Sequence, residues 1–290
     1  MTSPPAGPLD GAARTRPGGW LATPLPTDPG AAVAQARILL ARHHAAATGR
    51  LRCLTARYRS HTFSVGDPPR LIFKRHADQA AYLGEALAYQ LLDGEGVLPE
   101  LIAACDAALT LLTGYVPEPV DLRAPAAFEE LIGAVARVHT APARWHPAVA
   151  AATAAWRIGA TAGGSAPDWI CSPPAWRHTL ELVAGAHGAD HVPLGHLDLK
   201  SDHARRDADG RLIVIDAETL RPDLTGLPDL ITLGHLAAET CCPRSPRWVR
   251  HAYLARANEL GAQWVDPDLA AALRAWATAT GLRSLHGLGD

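Results

Sequence analysis

Residues 194–218 read LGHLDLKSDHARRDADGRLIVIDAE, and this stretch organises the rest of the chain. It predicts two short strands facing each other across a turn. The first strand ends in the polar loop His196-Leu197-Asp198-Leu199-Lys200-Ser201-Asp202-His203. The turn is Asp207-Ala208-Asp209-Gly210, where glycine supplies the positive φ of a tight hairpin. Arg211-Leu212-Ile213-Val214-Ile215 is branched and apolar, hence a buried second strand. That strand delivers Asp216 and Glu218 beside the first loop, so Asp198, His203 and Asp216 converge at one edge. Carboxylates with an imidazole suit a base and a divalent cation, because hard cations take carboxylate oxygen and imidazole can complete the shell.

The ordered set His196-x-Asp198-x-x-x-x-His203 followed by Ile215-Asp216-x-Glu218 resembles the catalytic and metal loops of aminoglycoside phosphotransferases and their protein-kinase relatives. Their usual form is HGDLHPGN followed by IDWE. The resemblance implies Asp198 as catalytic base, His203 as a metal ligand and Asp216 as the principal ligand of Mg2+ bridging the phosphates of ATP. Glu218 would assist the metal or brace the loop. Two departures carry information. Macrolide-type phosphotransferases resemble this chain in having His, where most members have Asn, at position 203. Lys200 stands where small-molecule kinases usually carry His, whereas serine/threonine protein kinases carry Lys there and use it on the transferring phosphate.

Upstream, residues 1–29 are rich in Pro, Gly, Ala and Thr and read as a flexible leader, with Trp20 and Leu21 docking on the body. Asp28-Pro29 opens a helix running to about His44. Three strands are expected next, Leu51–Ala56, Thr62–Val65 and Arg70–Arg75, with Tyr58–His61 as a loop and Gly66-Asp67-Pro68-Pro69 as a turn. A lysine closing an apolar strand, as in Arg70-Leu71-Ile72-Phe73-Lys74, needs a partner if buried. In the helix expected over Ala77–Leu92, Tyr82, Glu85, Ala86 and Tyr89 share a face, which points Glu85 at Lys74. By resemblance this is the kinase Lys–Glu pair that grips the α and β phosphates. The hairpin over the phosphates lacks the glycines of GxGxxG, so Ser60, His61 and Thr62 are the candidate donors there. Leu98–Ile102 and Ala108–Thr113 read as further strands, and Leu109–Pro117 resembles the segment joining the two lobes, which makes Thr113, Tyr115 and Val116 candidate adenine contacts.

Pro125–Thr140 reads as a helix ending in His139, residues 141–175 as an Ala/Pro/Gly-rich insertion with several tryptophans, and Thr179–Gly188 as a short helix. Those aromatics suit either core packing or an acceptor platform. Thr219–Pro228 would be the acceptor-facing loop. Asp229 begins an apolar helix and resembles the family's structural Asp, which braces the catalytic loop. Pro246–Leu260 and Pro267–Thr280 close the chain as helices. Scattered Lys and Arg, 27 against 29 acidic residues, give no nucleic-acid stripe. Five cysteines without a CxxC pair read as reduced thiols, with the vicinal Cys241-Cys242 as the one place for redox chemistry. No signal-peptide pattern and no membrane-spanning apolar run is read, so a cytoplasmic location is expected.

These readings together give an α+β, two-lobed protein-kinase-like fold: a leader over 1–29, a nucleotide-binding lobe over 30–116 (antiparallel sheet plus helix) and a mainly helical catalytic lobe over 117–290. The resemblance implies transfer of the γ-phosphate of ATP, with Mg2+, to a hydroxyl of a small molecule or of Ser/Thr in a maturing peptide. A partner subunit is compatible with that; nucleic acid and membrane are not expected. The alternative is a pseudokinase that binds without turnover.

Overall fold

The computed structural model describes residues 24–195, 197–240 and 244–289. The readings placed on Trp20, Leu21, His196 and Cys241-Cys242 lie outside those residues. Contacts sort the chain into two compact units, one running through Gln90 and including Pro99–Val116, the other comprising Leu91–Leu98 and the chain from Pro117 onward.

The first unit is an antiparallel sheet with one helix on each face. Helix α1 (Pro29–His43) starts where the Asp28 carboxylate accepts the Ala31 N–H at 2.7 Å, with proline in the first turn. Its Ala32, Ala36 and Leu40 recur every fourth residue and pack on Phe63, Val65, Phe73 and Leu112 of the sheet. Strands β1 (Leu51–Ala56), β2 (Ser60–Gly66), β3 (Pro69–His76), β4 (Leu101–Cys105) and β5 (Thr110–Gly114) are ordered β1-β2-β3-β5-β4. Ser60 and His61 are therefore strand residues, not loop residues, pairing with His76 and Arg75 of β3. Alternation along β3 turns Phe73 toward α1 and Lys74 and His76 to the opposite face, toward helix α2 (Gln79–Leu91).

The second unit is mainly helical. Its small sheet is β6 (Glu118–Pro119), β7 (Ala204–Arg206) and β8 (Leu212–Val214). The Val214 N–H donates to the Val97 carbonyl at 2.8 Å, which draws residues 91–98 into this unit. The first hairpin strand thus lies after the polar loop rather than before it. Helix α3 (Pro125–Thr140) packs on α8 (Pro246–Glu259), and α6 (Pro173–His187) on α9 (Asp266–Thr280); α7 (Leu227–Glu239) also meets α8. Helix α6 begins six residues earlier than expected, with Pro173 and Pro174 in its first turn. Between α3 and α6 the insertion folds into short helical turns, including α4 (Pro147–Ala152) and α5 (Ile158–Ala162). Trp176 and Trp276 are buried and cluster with the exposed Trp169, each pair of centroids 5.8 Å apart, Trp169 edge-on to Trp176 and the other two pairs tilted.

At the end of α6, His187 and His191 stack with centroids 4.3 Å apart, and the Trp264 indole N–H donates to His187 Nε2 at 3.2 Å. Burial, helped by the nearby His139, lowers the His187 ring to about 4. Burial, with His187 and His139 adding to it, holds His191 well below its ordinary value. Both rings titrate lower in the folded chain than in the unfolded one, so the unfolded chain binds more protons as pH falls below about 6.5. Stability is therefore full above that value and lost progressively toward pH 4. Thermal melting followed by circular dichroism should show Tm dropping by roughly 5–10 °C between pH 7 and pH 5. His191→Phe, which keeps the stack without the proton, should flatten that slope; an unchanged slope in the variant would remove the pair from the cause.

Candidate functional site

The loop at the start of the hairpin alternates buried and exposed side chains. Leu197 and Leu199 are buried, while Asp198 and Lys200 face solvent. Three sets of backbone contacts fix it. Gly195 and Arg221 exchange N–H···O bonds of 3.2 and 2.9 Å. The Leu197 N–H donates to Asp229 Oδ1 at 2.7 Å. At the far end the Ile215 N–H donates to the His203 carbonyl at 2.9 Å.

Asp229 lies in the first turn of α7 and is 1% exposed. A carboxylate removed from water needs donors on its oxygens. Leu197 supplies one, and His139 Nε2, at the end of α3, lies 2.9 Å from Oδ2. A carboxylate only accepts, so Nε2 carries the hydrogen, and His139 Nδ1 meets the Tyr253 hydroxyl at 2.9 Å. Burial, with Asp229 adding to it, raises the Tyr253 phenol, which stays a donor. Two glycines make room. A Cβ at Gly226 would overlap the His139 ring, and one at Gly195 would overlap the Thr225 carbonyl. The bracing role expected of Asp229 is present as geometry. Tyr253, Gly195 and Gly226 were not singled out in the sequence; the glycines had no positive-φ turn to mark them, and Tyr253 read as an ordinary core residue of a closing helix.

Asp198 and Asp216 both have left-handed backbone, φ 47° and 66°. Aspartate tolerates that region better than most residues, at a cost of about 1 kcal/mol. Asp198 Oδ2 accepts from Lys200 Nζ at 2.7 Å, and this hydrogen bond raises the Lys200 ammonium. His203 is buried, its Nε2 3.8 Å from Asp216 Oδ2, while its Nδ1 has no hydrogen-bond partner. Burial outweighs the opposing pull of Asp216 and lowers the ring, leaving it neutral. Glu218 is partly exposed two residues beyond Asp216.

In the first unit Lys74 Nζ lies 2.8 Å from Glu85 Oε2, and both are buried. Burial pushes the Glu85 carboxyl up, but Lys74 and His76 together overcome it and hold it below the ordinary carboxylate value. His76, absent from the sequence reading, also reaches Glu85 Oε2 at 2.8 Å. Glu95 is bound by Arg144 within the second unit, with bonds of 3.0 and 2.7 Å. The His61 ring faces away from any hairpin tip: it is 1% exposed and its Nε2 meets the Pro26 carbonyl at 2.7 Å. It anchors the chain entering α1 and is spent as a ligand donor. Ser60 is only partly buried. Thr113 is buried within β5, Val116 is buried after it, and the Tyr115 N–H is used by the Arg70 carbonyl at 2.9 Å.

No protein-family model matches the chain, and no curated protein matches it. Solved structures do. Macrolide 2'-phosphotransferase MphH from Brachybacterium faecium is 17% identical over 86% of this chain and 93% of its own, with a TM-score of 0.52. A choline/ethanolamine kinase family protein from Mesorhizobium loti is 17% identical over 89% and 91%, with a TM-score of 0.46. Choline kinase LicA from Streptococcus pneumoniae is 13% identical over 84% and 89%, with a TM-score of 0.48. The chain has the kinase-like fold of the macrolide phosphotransferase, with its N-terminal antiparallel sheet and helical C-terminal region.

The brace generates a stability prediction. Asp229→Ala strands the Leu197 N–H and the His139 ring in a buried site and should cost about 3 kcal/mol in urea unfolding, against about 1 for Tyr253→Phe. Hydrogen exchange should show the Leu197 amide opening faster in Asp229→Ala. Protection equal to that of the parent chain would sink the brace.

Proposed function

We propose that this chain is a phosphotransferase that moves the γ-phosphoryl group of ATP onto a hydroxyl acceptor. The observation that carries the reading is the convergence of Asp198, His203 and Asp216 on one pinned loop system, in a chain whose fold is that of a macrolide 2'-phosphotransferase. The residues fit a divalent cation. His203 Nε2 faces Asp216 Oδ2 at 3.8 Å, too far for a hydrogen bond, and burial lowers the ring's pKa. His203 and Asp216 would hold Mg2+, which when bound neutralises phosphate charge.

The chain's own residues would act as follows. Lys74, held by Glu85, contacts the phosphates as a fixed cation. Asp198 accepts the proton of the acceptor hydroxyl as that oxygen attacks the γ-phosphorus, the bond from phosphorus to the β,γ-bridging oxygen breaks, and ADP leaves with that bonding pair. Lys200 releases its bond to Asp198 and balances charge on the transferring group. Left-handed backbone at Asp198 and the brace beneath it hold the carboxylate in place without a reorganisation step. Ser60 and Thr62 remain candidate donors for the hairpin, while the His61 ring meets the Pro26 carbonyl. Thr113, Tyr115 and Val116 remain the candidate segment for the adenine, through groups other than the Tyr115 N–H. Lys200 favours a peptide Ser/Thr acceptor, whereas His203 and the shared fold favour a small hydroxylated molecule such as a macrolide-type antibiotic.

The test is transfer of labelled γ-phosphate from Mg-ATP into a pool of hydroxylated antibiotics and a pool of Ser/Thr peptides. Asp198→Ala should lower transfer about 10²–10⁴-fold while nucleotide affinity stays within about twofold. Asp216→Ala should abolish the Mg2+ dependence of nucleotide binding. Parallel loss of transfer and binding in Asp198→Ala would remove it as the base. ATP binding with no label in either pool would favour the pseudokinase.

A further inference from the structure

His76 belongs to no part of the phosphate-gripping machinery described above, yet it is 1% exposed and its Nε2 lies 2.8 Å from Glu85 Oε2. That is the same oxygen, at the same distance, that Lys74 Nζ reaches. Lys74 and His76 are two apart on β3, so they project from one face of the strand onto one atom of α2. A carboxylate oxygen has lone pairs for two donors. With Lys74 as its sole partner, a flexible four-carbon ammonium chain and a glutamate with free torsions would meet in many geometries; the ring of His76 has two torsions and no such freedom.

The surroundings fix that ring. The His76 N–H donates to the Leu109 carbonyl at 2.9 Å, across the turn where Leu109 has φ 52°. Tyr82 packs edge-on against the ring at 6.2 Å between centroids, and its hydroxyl donates to Asp106 at 2.6 Å. Tyr82 and Glu85 are three apart on α2, whose start is held where Asp78 accepts from Ala80 and Ala81 at 2.9 and 3.0 Å. The helix therefore presents a backing group and the carboxylate on the same face.

We propose that His76 is a positioning residue: it holds Glu85 in the rotamer that presents Lys74 to a nucleotide phosphate. The role rests on the ion-pair contact itself, the 2.8 Å separation of His76 Nε2 and Glu85 Oε2. The inference rests on the phosphotransferase reading for its consequence, but not for the geometry it asserts.

The experiment compares the parent chain with His76→Phe, His76→Gln, Glu85→Gln and the double variant His76→Phe/Glu85→Gln. The first readout is affinity for Mg-ATP. The second is the rate at which Lys74 is acylated by an amine-reactive ester without nucleotide, measured by mass spectrometry. His76→Phe keeps the ring's bulk and loses the nitrogen that meets Glu85. It should bind Mg-ATP about tenfold more weakly and expose Lys74 to acylation about tenfold faster, within the range of coupling for networked residues. His76→Gln should restore both, and the double variant should be no worse than Glu85→Gln alone. An unchanged acylation rate in His76→Phe overturns the proposal. So do equal defects in His76→Phe and His76→Gln that add to Glu85→Gln, since a purely structural role predicts that pattern. If the parent chain binds no Mg-ATP, the phosphotransferase reading fails while the acylation rates still decide whether His76 positions the pair.

Discussion

A single buried carboxylate sets the second unit. Asp229 sits almost wholly out of water, where an unsatisfied negative charge would cost several kcal/mol. Its two oxygens are met by the Leu197 N–H and by His139. Satisfying Asp229 and fixing the loop are therefore one event: the amide it consumes is one residue before Asp198. The space needed for that approach accounts for Gly195 and Gly226, since any side chain there would overlap the Thr225 carbonyl or the His139 ring. Left-handed backbone at Asp198 and Asp216 is tolerable because the segments on both sides are already tied down.

The first unit solves the same electrostatic problem with different parts. Glu85 is buried, and the donors that compensate it come from one strand face, Lys74 and His76. Burial alone would push the carboxyl toward its neutral form, and the paired donors reverse that. In both units a charge placed in a low-dielectric interior is affordable only in one geometry, and that is what converts a polar group into a positioning device.

What was legible in the sequence follows from how local each cause is. Helix α3 and strand β1 carry their periodicity and punctuation within their own residues, and both lie where expected. Lys74 and Glu85 are one strand end and one helix turn apart in the chain, so their meeting was readable too. The hairpin's first strand was expected before the polar loop, whereas the strand that pairs with β8 is β7, Ala204–Arg206, after it. Ser60 and His61 looked like a polar loop; a carbonyl from Pro26, far upstream, lets His61 sit inside the sheet's core. The His139 network was invisible in its full extent, since its partners Asp229 and Tyr253 are 90 and 114 residues away. No local pattern encodes a contact of that separation.

The tryptophans of the insertion narrow what selects an acceptor under the proposed chemistry. Trp176 and Trp276 are buried where α6 packs against α9, and Trp169 lies edge-on to Trp176 and tilted to Trp276. Trp145 spends its indole N–H on the Leu91 carbonyl at 2.6 Å. An aromatic platform for an acceptor would need exposed, parallel-facing rings, and here only Trp169 keeps substantial exposure. Trp176 is thus used in core packing and Trp145 in holding the Leu91 carbonyl. Selection then falls on the polar side of the site, where Lys200 and Asp198 stand exposed on the loop and where the segment after Asp216 carries Arg221, exposed, beside Asp223, whose carboxyl burial raises despite that arginine. A desolvated acid next to a solvated base discriminates by charge and hydrogen bonding rather than by apolar area, which suits an acceptor chosen for its hydroxyl and the polar groups around it.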